Sequence, residues 1–194
     1  QVWIIADETW ENLIYDDNKF EPIAQFAEIK DQIIMIRNCV CLGAASVPGY
    51  IVACQKVIDA VEKLQSAFSL TYSLKISSKI SENSQDDPLR YKLEKKRDLA
   101  LLHLQKIPHF QTYPAAGGCF LFPECQHYYG KSGKGKILKN STQLADYLLE
   151  EYQVAVMPGI MFGSDLHLRI SFAVPESEIQ EGMARLQECF AKLG

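Results

Sequence analysis

A set of short apolar runs in the first third of the sequence most constrains the fold. Residues 2–6 (VWIIA) contain no polar residue and are followed by Asp7 and Glu8. Two other runs are also short and mainly apolar: residues 32–36 (QIIMI) and 49–53 (GYIVA). Strands without polar alternation are typical of sheets whose two faces are both covered, as in α/β proteins. The pattern therefore predicts three buried strands of an α/β sheet.

One amphipathic helix accompanies these strands. Residues 55–68 place apolar side chains at helical spacing, directly after the third predicted strand. No helix precedes residues 2–6 to cover that strand. We therefore expect this strand to continue a fold that begins before residue 1.

The second half of the sequence predicts a separate small domain. Residues 69–87 are polar, Ser-rich and aperiodic, which indicates a linker ending near Asp87. The rest reads as a helix, two strands, a helix capped by Ser141, two strands and a helix; the corresponding residues are 88–107, 110–113, 118–122, 142–152, 154–158, 166–173 and 176–193. We predict the end of a large α/β domain over 1–87 and a small α+β domain over 88–194.

Composition narrows the classes of partner. The 194 residues carry a net charge of −4 and are 47% hydrophobic, so no basic surface for nucleic acid or an anionic membrane is expected. No apolar run approaches the roughly 20 residues of a membrane span, and no signal peptide is recognisable. We expect a cytoplasmic protein that binds small molecules or other proteins. The six cysteines form no C-x-x-C pair and predict reduced thiols without a metal site.

Three places in the sequence are candidates for binding. Asp7 and Glu8 follow the first strand, where α/β sheets bind ligands, and a carboxylate there could pair with a protonated heterocycle nitrogen. The alternative is an ordinary pair of solvated acids. Arg169 lies within a strand whose other face is apolar, and its planar guanidinium suits a carboxylate, either of a ligand or of a structural ion pair. Residues 130–136 match G-x-x-x-x-G-K, but Ile137 follows, so a solvated surface loop is favoured over a nucleotide site.

Five segments in order resemble the class I/II pyridoxal-phosphate aminotransferases. The first, VWIIADETWENLIYDD, is similar to their D-E-x-Y strand end, and SVPGYIVACQKVIDAVEKLQ is similar to the stretch after their cofactor lysine. The other three are similar to their small domain: KKRDLALLHLQKIP, YPAAGGCFLFP and VAVMPGIMFGSDLHLRISFAVPESEIQEGMARL. The resemblance spans nearly the whole chain.

The resemblance implies fold type I, with a mostly parallel large-domain sheet and a small C-terminal domain. It implies a homodimer that binds pyridoxal 5'-phosphate and transfers an amino group between an amino acid and a 2-oxo acid. By resemblance, Asp7 pairs with the pyridine nitrogen of the cofactor, and Arg169 binds the α-carboxylate of the substrate. Trp10 stands at the tyrosine that binds the cofactor's phenolic oxygen.

The sequence departs from the family at the cofactor lysine. The family pattern is S-x-x-K-x-x-x-x-P-G-x-R-x-G; aligned on Pro-Gly, this chain has Val40 at the serine, Gly43 at the lysine and Ile51 at the arginine. A second alignment deletes four residues after Gly49, and with them the arginine, without restoring the lysine. Lys79 lacks the required Pro-Gly and arginine, so we do not assign it as the Schiff-base residue.

Two functions remain open from the sequence. In the first, the chain is the C-terminal part of an aminotransferase-like protein, whose lysine is either lost or lies in a segment outside these 194 residues. In the second, it is a degenerate, non-catalytic binding or dimerisation module. In neither case do we expect these residues alone to be catalytically competent, because the N-terminal half of the family's active site is missing.

Overall fold

In a computed structural model of the chain, residues 2–38, 49–68 and 88–193 are described. The chain divides into two compact units, Gln1–Asp87 and Pro88–Gly194. In those three ranges, no helix has the length and apolar composition that crossing a bilayer requires. The predicted polar linker at 69–87 lies outside the described residues.

The first unit contains a three-stranded sheet and one helix. The elements are β1 (Ile4–Asp7), β2 (Ile33–Asn38), β3 (Gly49–Ala53) and α1 (Gln55–Ala67). The strand order is β1–β2–β3, with β1 parallel to β2 and β3 antiparallel to β2. The carboxyl ends of β1 and β2 therefore lie at the same edge of the sheet.

The prediction that these strands are buried is wrong for much of this sheet. Ile5 in β1 and Ile51 and Val52 in β3 are exposed, and α1 contains no buried residue. Exposure alternates along β1 because successive side chains point to opposite faces of a sheet. Within the described residues, one face of β1 is covered better than the other, so the strand is more apolar than its own unit requires.

The second unit combines three helices with a small antiparallel sheet and a hairpin. The helices are α2 (Pro88–Leu104), α3 (Ser141–Tyr152) and α4 (Glu176–Leu193); the strands are β4 (Phe120–Leu121), β5 (Ser132–Gly133), β6 (Lys136–Ile137), β7 (Met157–Pro158) and β8 (Leu168–Ser171). The sheet has the order β4–β8–β7, and β5 and β6 pair separately. The strand that carries Arg169 is therefore the central one.

Alternation along β8 divides the core from the opposite face of the sheet. Leu168, Ile170 and Phe172 are buried, as their spacing predicts, whereas Leu166 at the start of the pattern is exposed. Helix α4 packs against α2 and α3 on the core side. Arg169 therefore projects from the face opposite this core.

The N-terminus of α3 differs from the prediction. The cap is Asn140, whose side-chain oxygen accepts a hydrogen bond of 2.9 Å from the N–H of Gln143. Ser141 instead donates its hydroxyl to Oδ1 of Asp165 at 2.6 Å. Both residue types are good N-caps, so sequence alone did not rank them. The second bond ties α3 to the segment that leads into β8.

Residues 110–113 do not form the predicted strand. Only Gln111 pairs, in an isolated antiparallel bridge with Glu124. Pro114 follows closely and has no N–H to donate, which limits any ladder at this point. Helix α2 also ends at Leu104, three residues before its predicted end. Pro108 disfavours the helical conformation at Ile107, so the helix could not have continued past that residue.

Candidate functional site

Asp7 lies at the carboxyl end of β1, opposite Ile36 of β2 in the parallel ladder. Its Oδ1 accepts hydrogen bonds from the hydroxyl of Thr9 at 2.7 Å and from the N–H of Thr9 at 3.1 Å. These two hydrogen bonds lower the pKa of the Asp7 carboxyl, and the bond from the hydroxyl has the larger effect. The side chain is exposed, and within the described ranges Oδ2 accepts no hydrogen bond. Asp7 thus offers one oxygen of an ionised carboxylate to a cationic group.

Glu8 points to the opposite side and is buried. It accepts hydrogen bonds from Nε of Arg37 at 2.9 Å, from Nη2 of Arg37 at 2.6 Å and from the N–H of Ile23 at 2.9 Å. Nη1 of Arg37 lies 3.0 Å from Oε2 of Glu11. The alternative of two solvated acids is therefore wrong for Glu8. Adjacent residues of a strand face opposite sides, and this alternation was the available signal that only one of the pair could be solvated.

Trp10 lies in the turn that follows β1, three residues after Asp7. Its carbonyl oxygen accepts a hydrogen bond of 2.9 Å from the N–H of Leu13. The side chain is 48% exposed. Because an indole N–H can donate but cannot accept, this ring can offer one hydrogen bond to an acceptor.

Arg169 lies in β8, opposite Met157 of β7. Its guanidinium carbon is 4.2 Å from the ring centroid of Phe120 and 4.1 Å from that of Phe162. The side chain is half-buried. In the part of the chain that the structure describes, no carboxylate pairs with it and no acceptor takes a hydrogen bond from it. The predicted alternative of a structural ion pair is therefore not formed by the described residues.

The loop before β8, residues 158–163, brings Phe162 to the guanidinium. Gly159–Phe162 form a 3-10 turn, which ends at Gly163 with φ 87°, a left-handed conformation that favours glycine. The N–H of Gly159 donates to the carbonyl of His167 at 2.9 Å, and a Cβ at position 159 would overlap that carbonyl. Close backbone packing thus requires a glycine at position 159, and the left-handed conformation at the end of the turn favours a glycine at position 163.

Sequence reasoning identified Arg169 but neither of its aromatic partners. Phe120 comes from a neighbouring strand, and Phe162 comes from a turn. No spacing in the sequence links these positions to Arg169. A glycine after Phe162 indicated a turn, but it did not indicate which side chain the turn would contact.

The glycine-rich segment forms a hairpin rather than a phosphate-binding loop. β5 and β6 are joined by Lys134 (φ 45°) and Gly135 (φ 81°), the left-handed pair that a two-residue type I′ turn needs. Lys134 pairs with Glu151, and Nζ of Lys136 lies 3.3 Å from Glu150, both on α3. These contacts agree with the favoured interpretation of a solvated surface segment.

The candidate residues are distributed over both units. Asp7 and Trp10 belong to the first unit, and Arg169 belongs to the second. Gly43, at the expected lysine position, and Lys79 lie outside the described residues. Across the described ranges, no group of three or more His, Cys, Asp or Glu side chains could hold a metal ion.

Comparison with known proteins finds sequence similarity between this chain and aminotransferases. A family model described as Aminotransferase class I and II matches residues 1–186. A protein of Rickettsia felis named as a probable aspartate/prephenate aminotransferase is 35% identical over 196 residues, which cover 95% of this chain and 47% of the relative. An aspartate aminotransferase of Rhizobium meliloti is 30% identical over 195 residues, which cover 95% of this chain and 47% of the relative. The chain thus spans about half the length of the curated relatives it matches.

Solved structures agree with this fold. The crystal structure of the aspartate aminotransferase from Rhizobium meliloti superposes with a TM-score of 0.82 at 24% identity, covering 100% of this chain and 50% of that one. A PLP-bound putative aminotransferase from Clostridium difficile superposes with a TM-score of 0.76 at 19% identity, covering 97% of this chain and 50% of that one. At sequence identities of 24% and 19%, these structures show the fold only, which is fold type I. The family follows from the family-model match over residues 1–186. The chain belongs to the class I and II aminotransferases, whose cofactor is pyridoxal phosphate.

Proposed function

We propose that this chain takes part in transferring an amino group between an amino acid and a 2-oxo acid, with Asp7 pairing with the pyridine nitrogen of pyridoxal phosphate and Arg169 binding the substrate's α-carboxylate. The observation that carries the proposal is the state of Arg169. Its half-buried guanidinium contacts two aromatic rings but is used by no acid of the described residues. A cation held in this way suits an anionic group supplied by a ligand.

Asp7 fits the cofactor's ring nitrogen. One of its oxygens is occupied by Thr9, the other is available, and its lowered pKa favours the ionised form. A carboxylate beside a pyridine nitrogen keeps that nitrogen protonated. When bound, pyridoxal phosphate supplies an electron sink for the substrate's α-carbon. In this proposal Asp7 holds the proton at the ring nitrogen, and Trp10 donates its indole N–H to the phenolic oxygen.

The covalent anchor does not fit. If the family pattern is aligned on Pro-Gly, Gly43 stands at the lysine and Ile51 at the phosphate-binding arginine; the second alignment deletes the arginine and also supplies no lysine. Ile51 lies in β3 with an exposed side chain. We therefore propose that these 194 residues contribute contacts to the cofactor ring and the substrate carboxylate, and we assign the proton transfer at the α-carbon to none of them.

The wider assignments are also proposals. We propose that the first unit is the end of the large cofactor-binding domain and that the second is the small domain. We also propose a homodimer, as the family resemblance implies, and a cytoplasmic location, as expected from the sequence. The names of the relatives suggest aspartate as the amino donor to test first.

Cofactor and carboxylate binding can be tested separately. We expect Asp7→Asn to weaken pyridoxal phosphate binding, since a neutral amide no longer attracts a protonated pyridine nitrogen. Asp17→Asn, which changes another exposed acid, is the matched control. For the carboxylate, Arg169→Ala should weaken binding of a 2-oxo acid, while Arg185→Ala, whose guanidinium pairs with Glu181 on α4, should not. Unchanged affinities in the Asp7 and Arg169 variants would contradict the proposal.

The second candidate function is a non-catalytic binding or dimerisation module. Glycine at the expected lysine position favours it, as do the exposed apolar residues of the first sheet. The purified polypeptide distinguishes the two functions. A visible-wavelength cofactor band that borohydride converts to a covalent adduct supports the enzyme. A colourless protein without an adduct, with an intact mass near 21.9 kDa, supports the module.

A further inference from the structure

We propose that Phe162 is a positioning residue for Arg169. Its ring holds the arginine side chain so that the hydrogen-bonding edge of the guanidinium faces the substrate's carboxylate. This inference rests on the proposed function, in which Arg169 binds that carboxylate. Phe120 contacts the same guanidinium from β4. Phe162 is the informative member of the pair because it lies in a turn rather than in the sheet, so its substitution leaves the strand pairing intact.

The contacts of Arg169 differ from those of the other arginines. Arg37, Arg90, Arg97 and Arg185 each have a carboxylate partner among the described residues. Arg169 has two rings at 4.2 and 4.1 Å and no described acid. A guanidinium is attracted to the face of an aromatic ring by its positive charge and can stack on that ring through its own planar face. The N–H donors of the guanidinium lie in its plane. A ring that lies over the face of a guanidinium can therefore restrain the side chain and leave the in-plane donors to a carboxylate.

The ring of Phe162, although 44% exposed, also contacts a second aromatic ring. Its ring lies edge-on to Phe122, with centroids 6.4 Å apart and planes at 90°. Phe122 in turn stacks on His167, with centroids 4.6 Å apart and planes at 2°. Nδ1 of His167 is 2.7 Å from the hydroxyl of Ser164, which fixes the imidazole. Phe162 is thus supported on the same face of the sheet that carries Arg169.

Such restraint matters because a free arginine side chain loses conformational freedom when it binds. An arginine side chain has several rotatable bonds, and ion pairs of partly exposed side chains are weak when both partners must be ordered on binding. A guanidinium that is already ordered loses less on binding. Removing the ring of Phe162 should therefore weaken carboxylate binding even though Phe162 itself offers no hydrogen bond.

The test compares Phe162→Leu with Phe162→Tyr in the full polypeptide. Leucine keeps an apolar side chain but removes the ring, whereas tyrosine keeps the ring. Phe110→Leu is the control, because Phe110 packs against Tyr128 and Phe190 in the same unit and has no described contact with Arg169. The probe is pyruvate, the smallest 2-oxo acid with an α-carboxylate. Binding is followed through the Arg169 Nε–H resonance of nitrogen-labelled protein, identified by its loss in Arg169→Lys.

We expect Phe162→Leu to move this resonance toward the position of an unstructured arginine and to weaken pyruvate binding about fivefold, equivalent to ~1 kcal/mol. Phe162→Tyr should stay within about twofold of the original affinity, since it retains the ring. Phe110→Leu should lower stability but leave the resonance and the affinity unchanged. That combination would separate positioning from a general loss of structure.

The outcomes distinguish this inference from the function on which it rests. If Arg169→Ala leaves pyruvate affinity unchanged, the proposed role of Arg169 is wrong. If Arg169→Ala weakens binding but Phe162→Leu does not, the role of Arg169 stands and the positioning inference is overturned. Equal weakening by the leucine and tyrosine variants, or by Phe110→Leu, would also overturn it, because the aromatic ring would then not be the cause.

Discussion

Gly159 makes the loop before β8 sensitive to a single added methyl group. In Gly159→Ala the new Cβ would lie 2.8 Å from the carbonyl carbon of His167 and closer still to the carbonyl oxygens of Ser164 and His167. Favourable carbon contacts need about 3.5–4.0 Å, so the backbone must separate. Overpacking of this kind costs roughly 1–3 kcal/mol. Separation would also strain the hydrogen bonds from Gly159 to His167 (2.9 Å) and from Ser164 to Gly159 (3.1 Å), each worth about 1 kcal/mol.

We therefore expect Gly159→Ala to lower the free energy of unfolding of the second unit by about 3 kcal/mol. Urea unfolding followed by helical circular dichroism is a suitable assay, because three of the four described helices belong to this unit. The matched control is Gly182→Ala in α4, where an added Cβ meets nothing within 4 Å. This control should raise stability by roughly 0.5–1 kcal/mol, since alanine is the better helix former. A Gly159→Ala variant within about 1 kcal/mol of the original protein would refute the argument from backbone overlap.

Three further substitutions test other parts of the structure. Asn140→Ala should lower the free energy of unfolding by about 1 kcal/mol in the same urea assay, because it removes the N-cap of α3. Burial raises the pKa of the Glu11 carboxyl above its ordinary value of 4.5, although the charge of Arg37 acts in the opposite direction. The folded state therefore binds more protons than the unfolded state, and stability falls as pH rises from about 4.5 through the folded-state pKa. Glu11→Gln should remove this fall and leave neutral-pH stability equal or higher; a loss above about 1 kcal/mol would contradict the argument. Thr9→Val should raise the pKa of Asp7 toward its ordinary value by removing the hydroxyl bond, which a carboxyl NMR titration measures directly.

Much of the secondary structure could be predicted from local sequence. The alternation at residues 166–172 correctly assigned Leu168, Ile170 and Phe172 to the core and Arg169 to the other face. The helices at 55–67 and 176–193 also followed from their periodicity. These features were predictable because side-chain direction repeats every two residues in a strand and every 3.6 residues in a helix, whatever the remainder of the chain does.

Other features required the folded chain. Burial of the first sheet was predicted from its apolar residues, but much of that apolar surface is exposed in its own unit. The capping of α3 depended on Asp165, which lies 24 positions after Ser141 and takes its hydroxyl bond, leaving Asn140 as the cap. Neither outcome can be read from neighbouring residues, because each depends on which distant segment packs there.

The candidate site shows the same division. Sequence alone was enough to identify the family and to predict a carboxylate at the end of β1 and an arginine in β8; it also indicated Gly43 at the lysine of the family pattern. Folding was needed to show that Glu8 is buried against Arg37 and that the rings of Phe120 and Phe162 contact the guanidinium of Arg169. Backbone geometry sets the direction of a side chain locally, whereas the partners of that side chain come from segments that only the folded chain brings together.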